Sequence, residues 1–248
     1  EVDGLLHPHD RERLLTSMGK IELPNRGQLF TALAQLAFSM QRHRSGDDKS
    51  HVRLSYDKAL SLLAEASMTD WMQQDALLKA AVDLQILDLP GDDVLFVHQL
   101  LQEYFAARHL SASFNTAATG CVKEGLCQLV KVAWQAQSIT PSITALWESL
   151  PKSATLPDLP STGWEETVSL ATPLMAQPDE WIHALAGVNL PLAGRCAAQS
   201  DVELSASVRK TLQQQLVARS RDPDADLRAR IQAGLALGEL GDPRFQYV

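Results

Sequence analysis

Positive charge is in deficit: 22 lysines and arginines stand against 30 aspartates and glutamates, a formal net charge of -8 over 248 residues. Without a broad cationic surface the chain has no electrostatic footprint for duplex nucleic acid or anionic lipid. Cysteine is scarce as well. Three thiols, Cys121, Cys127 and Cys196, sit at spacings of neither a disulfide framework nor a usual zinc site, so reduced cysteines in a cytoplasmic protein are expected, buried by default. No run approaches the roughly 18 apolar residues of a membrane span, and the first turns of the chain lack the basic start and apolar core of a signal peptide. Also missing are a glycine-rich Walker-type loop followed by Lys and Ser or Thr, a His-Glu-x-x-His pair, a Gly-x-Ser-x-Gly elbow and a Cys-x-x-Cys pair. Cys196 and His183 fall on ordinary helical stretches with no oxyanion element. The segment by itself is therefore expected to catalyse nothing.

What is present is ordinary globular composition, 45% apolar and 21% charged, with enough length for one large or two modest cores. The chain opens at Glu1 without methionine and closes after Gly241-Asp242-Pro243 in what reads as an extended tail. It reads as a piece of something longer.

Helical periodicity dominates. Leu29, Leu33, Leu36, Ala37 and Met40 make one face of a helix over Arg26 to Arg44, and "QRHRSGDDKS" (Gln41 to Ser50) reads as a loop. Ser55 can cap a helix burying Ala59, Leu62 and Leu63; Thr69 or Asp70 can start another that uses Met72, Leu77, Leu78 and Val82. The period then shortens. Ile86 to Leu89 and Val94 to Val97 flank Pro90-Gly91-Asp92-Asp93, a hairpin signal. Three helices followed by a small hairpin predict a winged-helix module, with Phe96 and Val97 in the wing core. Its third helix, "DWMQQDALLKAAVDL", offers Lys79 as its only cation, which leaves DNA few phosphate partners.

The fold class expected is mainly α: a winged-helix domain with preceding helices over residues 1–110, then an α-helical bundle or HEAT-like arm over 111–248. "SLPKSATLPDLPSTGW" (Ser149 to Trp164) reads as a connector. "WEETVSLATPLM", "PDEWIHALAGVNLPLAGRCAAQ" and "SASVRKTLQQQLVARS" follow as three helical units, HEAT-like from about residue 163, although no fixed repeat period is evident. In the last helix, Leu227, Ile231 and Leu235, with Ala233 and Leu237, are the expected buried face. Arg228 and Arg230 beside Asp224 and Asp226 are expected to form a solvated, mutually compensating surface.

Among the histidines, His7, His9, His43 and His51 read as surface residues, His109 as a boundary position and His183 as an ordinary helical residue; no metal site is expected. Trp71, Trp134, Trp147, Trp164 and Trp181 occupy apolar helical contexts and read as packing residues. His98 differs in its position. It ends a strand and precedes a helix, so its backbone is fixed and its ring can point out of the domain. The helix behind it should seat Leu101, Tyr104, Phe105 and the stem of Arg108, with Gln102 and Glu103 opposite, free to tie backbone amides or a partner helix. Spacing alone leaves both a structural and a ligand-contact role open for His98.

"FVHQLLQEYFAARHL" (Phe96 to Leu110) closely resembles the signature that closes the winged-helix domain of NACHT-type STAND nucleoside triphosphatases, the signalling switches that include animal NOD-like receptors and bacterial defence or regulatory proteins. Downstream, Gly163 to Met175, Trp181 to Leu185 and "NLPLAGRCAAQS" resemble the helical segment that follows in bacterial members, so the resemblance covers roughly residues 1–200. "RIQAGLALGELGDPRF" is similar to the helical linker ahead of a formylglycine-generating-enzyme-like or C-type-lectin-like domain, and equally to a generic HEAT-like pair. The resemblance implies that His98 reaches the phosphates of ADP bound by a nucleotide core that this chain lacks. It implies ADP or ATP with Mg²⁺ in the full-length protein and no cofactor in the fragment. It further implies partnership with that core and with a C-terminal sensor or effector domain, and a nucleotide-dependent oligomer of the whole. The alternative reading is a stand-alone helical protein–protein interaction module.

Overall fold

The computed structural model describes residues 28–42, 53–65, 71–116, 119–151 and 155–245. His7, His9, His43, His51 and the expected cap at Thr69 or Asp70 lie outside them. The chain divides into two compact units, Glu1–Leu110 and Ser111–Val248.

In the first unit, α1 (Gln28–Arg42) buries Leu29, Leu33, Leu36, Ala37 and Met40, the face its periodicity predicts. A short strand, β1 (Leu54–Ser55), leads directly into α2 (Tyr56–Glu65), where Ser55 Oγ accepts from the Lys58 amide at 3.4 Å and Ala59, Leu62 and Leu63 turn inward. α3 (Trp71–Asp83) buries Leu77, Leu78 and Ala81, but Met72 is 63% exposed and does not join the core as expected. Gln85 ends α3 in the left-handed region, φ 57°, where the Ile86 N–H donates to the Ala81 carbonyl at 2.9 Å. That bond closes the helix in the Schellman manner, with glutamine in the place glycine usually takes.

β2 (Leu87–Asp88) and β3 (Asp93–Phe96) pair antiparallel, Leu87 opposite Phe96, around a turn in which Gly91 supplies φ 70°. β1 pairs with the other edge of β3, Leu54 opposite Val94, giving the strand order β1-β3-β2. Alternation along β3 sends Val94 and Phe96 into the core. α4 (Gln99–Asn115) then runs out of the hairpin, with Phe105 and Ala106 in the same cluster as α1, α2, α3 and the strands.

The second unit contains α5 (Thr119–Leu129), α6 (Ile143–Ser149), α7 (Glu165–Ala171), α8 (Pro178–Ala186), α9 (Leu190–Ala197), α10 (Ala206–Arg221) and α11 (Leu227–Leu240). The expected connector is irregular among its described residues after α6. The unit read as one helix from Pro178 to Gln199 is two. Asn189 breaks it, its side chain accepting from the Leu192 amide at 3.2 Å, with Pro191 in the first turn of α9. α8 packs on α9, α10 on α11, and α9 lies against α11. Arg209, early in α10, donates to Leu240 O at the end of α11, and Arg230, early in α11, donates to Ser220 O late in α10, so this pair is antiparallel. Gly194 permits the stacking: a Cβ there would lie 2.9 Å from both Ala236 Cβ and Leu216 Cδ1.

Two expectations about α11 are overturned. Of the expected face, Ala233 and Leu237 are buried, with Ala229, Ala236 and Leu240 beside them, but Leu227, Ile231 and Leu235 are 42%, 45% and 59% exposed. Close approach at Gly194 favours the small side chain of Ala236, and Leu237 and Leu240 fill the rest of the inner face. Asp226 and Arg228, expected in solvent, are an ion pair only 2% and 3% exposed, with Arg228 Nε 3.0 Å from Asp226 Oδ1. A second arginine bond reaches the Pro141 carbonyl at 2.9 Å, and the Asp226 amide donates to Trp134 O at 3.0 Å. The pair therefore fastens the 134–141 segment to the start of α11, a long-range partner that local charge counting could not see. Of the tryptophans, Trp164 and Trp181 are buried, while Trp71 and Trp147 are 67% and 72% exposed and are not packing residues within the fold.

Candidate functional site

The His98 junction is built from three constraints on its backbone. β3 is paired on both edges, so the strand arrives in fixed register. The Val97 amide donates to Ile86 O at 3.0 Å, one bond beyond the ladder. The His98 carbonyl then accepts from the amides of Leu101 and Gln102 at 3.0 and 3.3 Å, making it the first acceptor of α4. These bonds fix the backbone of His98, and its side chain is exposed. Among the described residues no hydrogen bond to the ring is found.

The surroundings of His98 correct the expected orientation of α4. Tyr104 is 38% exposed rather than seated, and Val97 is 48% exposed rather than in the wing core. Gln102 and Glu103 are buried at 3% and 7%. Gln102 Nε2 donates to Gln41 Oε1 of α1 at 3.1 Å, and Gln99 Nε2 donates to Glu103 Oε1 at 2.8 Å. The Gln102–Gln41 bond gives each buried amide a partner across the core and ties α4 to α1. Phe105 is the anchor expected of it, its ring 6.0 Å from both Phe30 and Phe96. The helix is thus rotated so that Leu100, 53% exposed, and Tyr104 share its open face with Val97 and His98 at its foot. Sequence pattern missed this because both sides of α4 carry large residues and the polar pair is the buried one.

His109 is half-buried at the edge, its ring 4.5 Å from that of Phe38, and burial lowers its pKa. On α3, Lys79 is committed to Asp75 at 2.7 Å, and Tyr56 donates to the same carboxylate at 2.7 Å. The Lys79 and Tyr56 hydrogen bonds hold Asp75 below the usual carboxylate range. The one cation of α3 is therefore already neutralised.

In the second unit two adjoining clefts escaped the sequence reading. One, about 180 Å³, is lined by Lys131, Trp134, Gln135 and Arg219, with the Arg219 guanidinium 3.6 Å from the centre of the Trp134 ring. The other, about 230 Å³, carries Asp158, Glu165, Arg195 and Gln232, and the two share Val132, Leu159, Asn189 and Pro191. Both fall short of the roughly 300–1,000 Å³ usual for small-molecule sites. Glu165 is occupied locally, accepting from the amides of Thr162 and Gly163 at 2.8 and 2.9 Å. Cys196 is fully buried and burial pushes its thiol up to about 11, while His183 is exposed, so they make no activated nucleophile. Among the described residues no group of His, Cys, Asp and Glu could hold a metal, and no helix is long and apolar enough to cross a membrane.

No protein-family model, curated protein or solved structure matches this chain.

Proposed function

We propose that the chain is the regulatory portion of a NACHT-type STAND nucleoside triphosphatase: a winged-helix latch followed by a HEAT-like arm, coupling a nucleotide core to a sensor or effector domain. The observation that carries this reading is the exposed His98, whose backbone is fixed at the strand-to-helix junction and which is flanked by exposed Val97, Leu100 and Tyr104. Such a surface suits contact with another segment that brings a polar ligand to the ring. The helix-strand-helix-helix-hairpin order with strand order β1-β3-β2 supports the winged-helix assignment, and the stacking of α8 and α9 on α10 and α11 supports the HEAT-like one.

In this reading the His98 imidazole donates to a terminal phosphate oxygen of ADP held by the core, a charge-assisted bond when the ring is protonated. Exchange of ADP for ATP changes that contact and frees the latch. The chain supplies the contact alone; phosphoryl transfer needs the Lys, Mg²⁺ ligand and base of the core.

The test is ADP release from the full-length protein. His98→Ala should speed release about tenfold or more, the loss of one hydrogen bond to a charged group, and unchanged release would sink the proposal. Tight ADP binding by residues 1–248 alone would equally overturn the division of labour. The second reading, a stand-alone helical interaction module, is favoured by the open apolar face of α11.

A further inference from the structure

α11 is apolar on two opposite faces. Ala229, Ala233, Ala236, Leu237 and Leu240 occupy the buried arc against α9 and α10. Leu227, Ile231, Gly234, Leu235 and Gly238 fall at the spacings i, i+4, i+7, i+8 and i+11, so they line one stripe on the far side. The three large residues of the stripe are 42%, 45% and 59% exposed, and a Cβ on either glycine would meet nothing within 4 Å. A helix apolar on both sides is the middle layer of a stack. Mid-helix glycine costs about 0.5–1 kcal/mol relative to alanine, and nothing in the present fold demands it at these positions.

The established packing one layer earlier shows what such a glycine does. In α9, Ala193-Gly194 faces α11, and Gly194 admits Ala236 and Leu216 to a distance no Cβ would allow. Ala233-Gly234 of α11 follows Ala193-Gly194 by forty residues, the spacing of one HEAT-type unit. Gly194 faces the layer that follows α9, and Gly234 sits on the uncovered side of α11. A stripe from Leu227 to Gly238 runs about 16 Å at 1.5 Å per residue, the footprint of one helix.

We propose that the outer face of α11 is the seat for a further helical hairpin of the α10–α11 kind, its second helix lying along Leu227, Ile231 and Leu235 and approaching closely over Gly234 and Gly238. This inference stands apart from the nucleotide reading, since it uses none of the residues near His98.

The test appends a second copy of residues 205–241, the chain's own α10–α11 hairpin, after Val248 through a flexible linker. The appended hairpin should add helical signal at 222 nm and raise the melting temperature of the second unit by about 5 °C. Ile231→Asp with Leu235→Asp in the original α11 should abolish both gains while leaving the unappended chain's melting temperature unchanged. An unfolded appendage, a gain that survives the double substitution, or loss of the unappended fold on substitution would each overturn the proposal. So would a concentration-dependent dimer of the unappended chain that the same substitutions dissolve, which would make a second copy the occupant.

Discussion

Replacing Asp226 by alanine tests the claim that a buried ion pair fastens the second unit. In the native fold Asp226 Oδ1 accepts from the Arg228 amide at 2.9 Å and from Nε at 3.0 Å, and Oδ2 accepts from a terminal guanidinium nitrogen at 3.0 Å. Alanine leaves Arg228, 3% exposed, with the Pro141 carbonyl as the acceptor that remains among the described residues. Removing one member of such a pair costs about 3–5 kcal/mol, because the other charge stays buried. Loss of the helix cap adds about 1 kcal/mol. The melting temperature of the second unit should fall by roughly 10 °C or more. Asp226→Asn, which can keep the cap and the shape, should cost less than alanine. The double variant Asp226→Asn with Arg228→Met should recover much of the loss, since an apolar replacement of both charges removes the desolvation problem.

The pH dependence follows with a definite sign. Burial alone would raise the Asp226 carboxyl, but the Arg228 side-chain and backbone hydrogen bonds and the arginine charge outweigh it, so the folded pKa is lowered. Its contribution is present above the unfolded carboxylate pKa, about 3.9, and is lost as pH falls through the lower folded value. Urea titrations followed by circular dichroism, at pH 7 and at pH 3, measure both effects. A loss below about 1 kcal/mol for Asp226→Ala at pH 7 would refute the reasoning.

Other residues give independent tests. Gly194→Ala should overpack the contact with Ala236 and Leu216 and cost about 1–3 kcal/mol in thermal unfolding, whereas Gly234→Ala, in open space, should be neutral or slightly stabilising. Gln85→Gly should stabilise the first unit by about 0.5–1 kcal/mol, because glycine takes the positive φ without steric cost. The Cys196 thiol, pushed up to about 11 by burial, should resist alkylation at pH 8 in the folded protein and react freely in denaturant. Because that pKa is raised, its share of stability is present below about pH 8.5 and declines as pH rises toward the folded value.

The elements of the first unit were legible because each carries one signal. The apolar spacing in α1 has a single face, Ser55 is a capping residue ahead of a helical pattern, and Pro90-Gly91 cannot continue either flanking strand. The orientations of α4 and α11 were not legible, for one shared physical reason. Each carries large apolar residues around most of its circumference, so periodicity offers two faces and tertiary packing chooses between them. In α4 the choice fell to Gln102, whose partner Gln41 is sixty-one residues away. In α11 it fell to the side that places Ala236 against Gly194, with Leu237 and Leu240 buried beside it. The Asp226–Arg228 pair was misread for a related reason: what buries it is the 134–141 segment, which no local pattern connects to it.

Those failures of local reasoning have a common consequence. Sequence and fold normally agree at every level, and a position where pattern demands burial while the structure leaves the residue in solvent is a conflict that selection for folding alone would remove. Converting Leu227, Ile231 and Leu235 to polar residues would cost the isolated fold little, since each already faces water. The same holds for Val97 and Leu100, 48% and 53% exposed. An apolar stripe of helical length beside open glycines, and an apolar face around an exposed histidine on a fixed backbone, are each better accounted for by a surface that is covered in the working protein. The two coverings differ in chemistry. On α11 the glycines and the absence of charge within the stripe call for close helix packing. At His98 the exposed imidazole calls for a polar acceptor within an otherwise apolar contact, and a hydrophobic helix would leave that ring buried without a hydrogen bond, at a cost of about 1–3 kcal/mol. Under the two proposals, substitutions in the two faces should affect separate properties: nucleotide release at His98, and helical docking along α11.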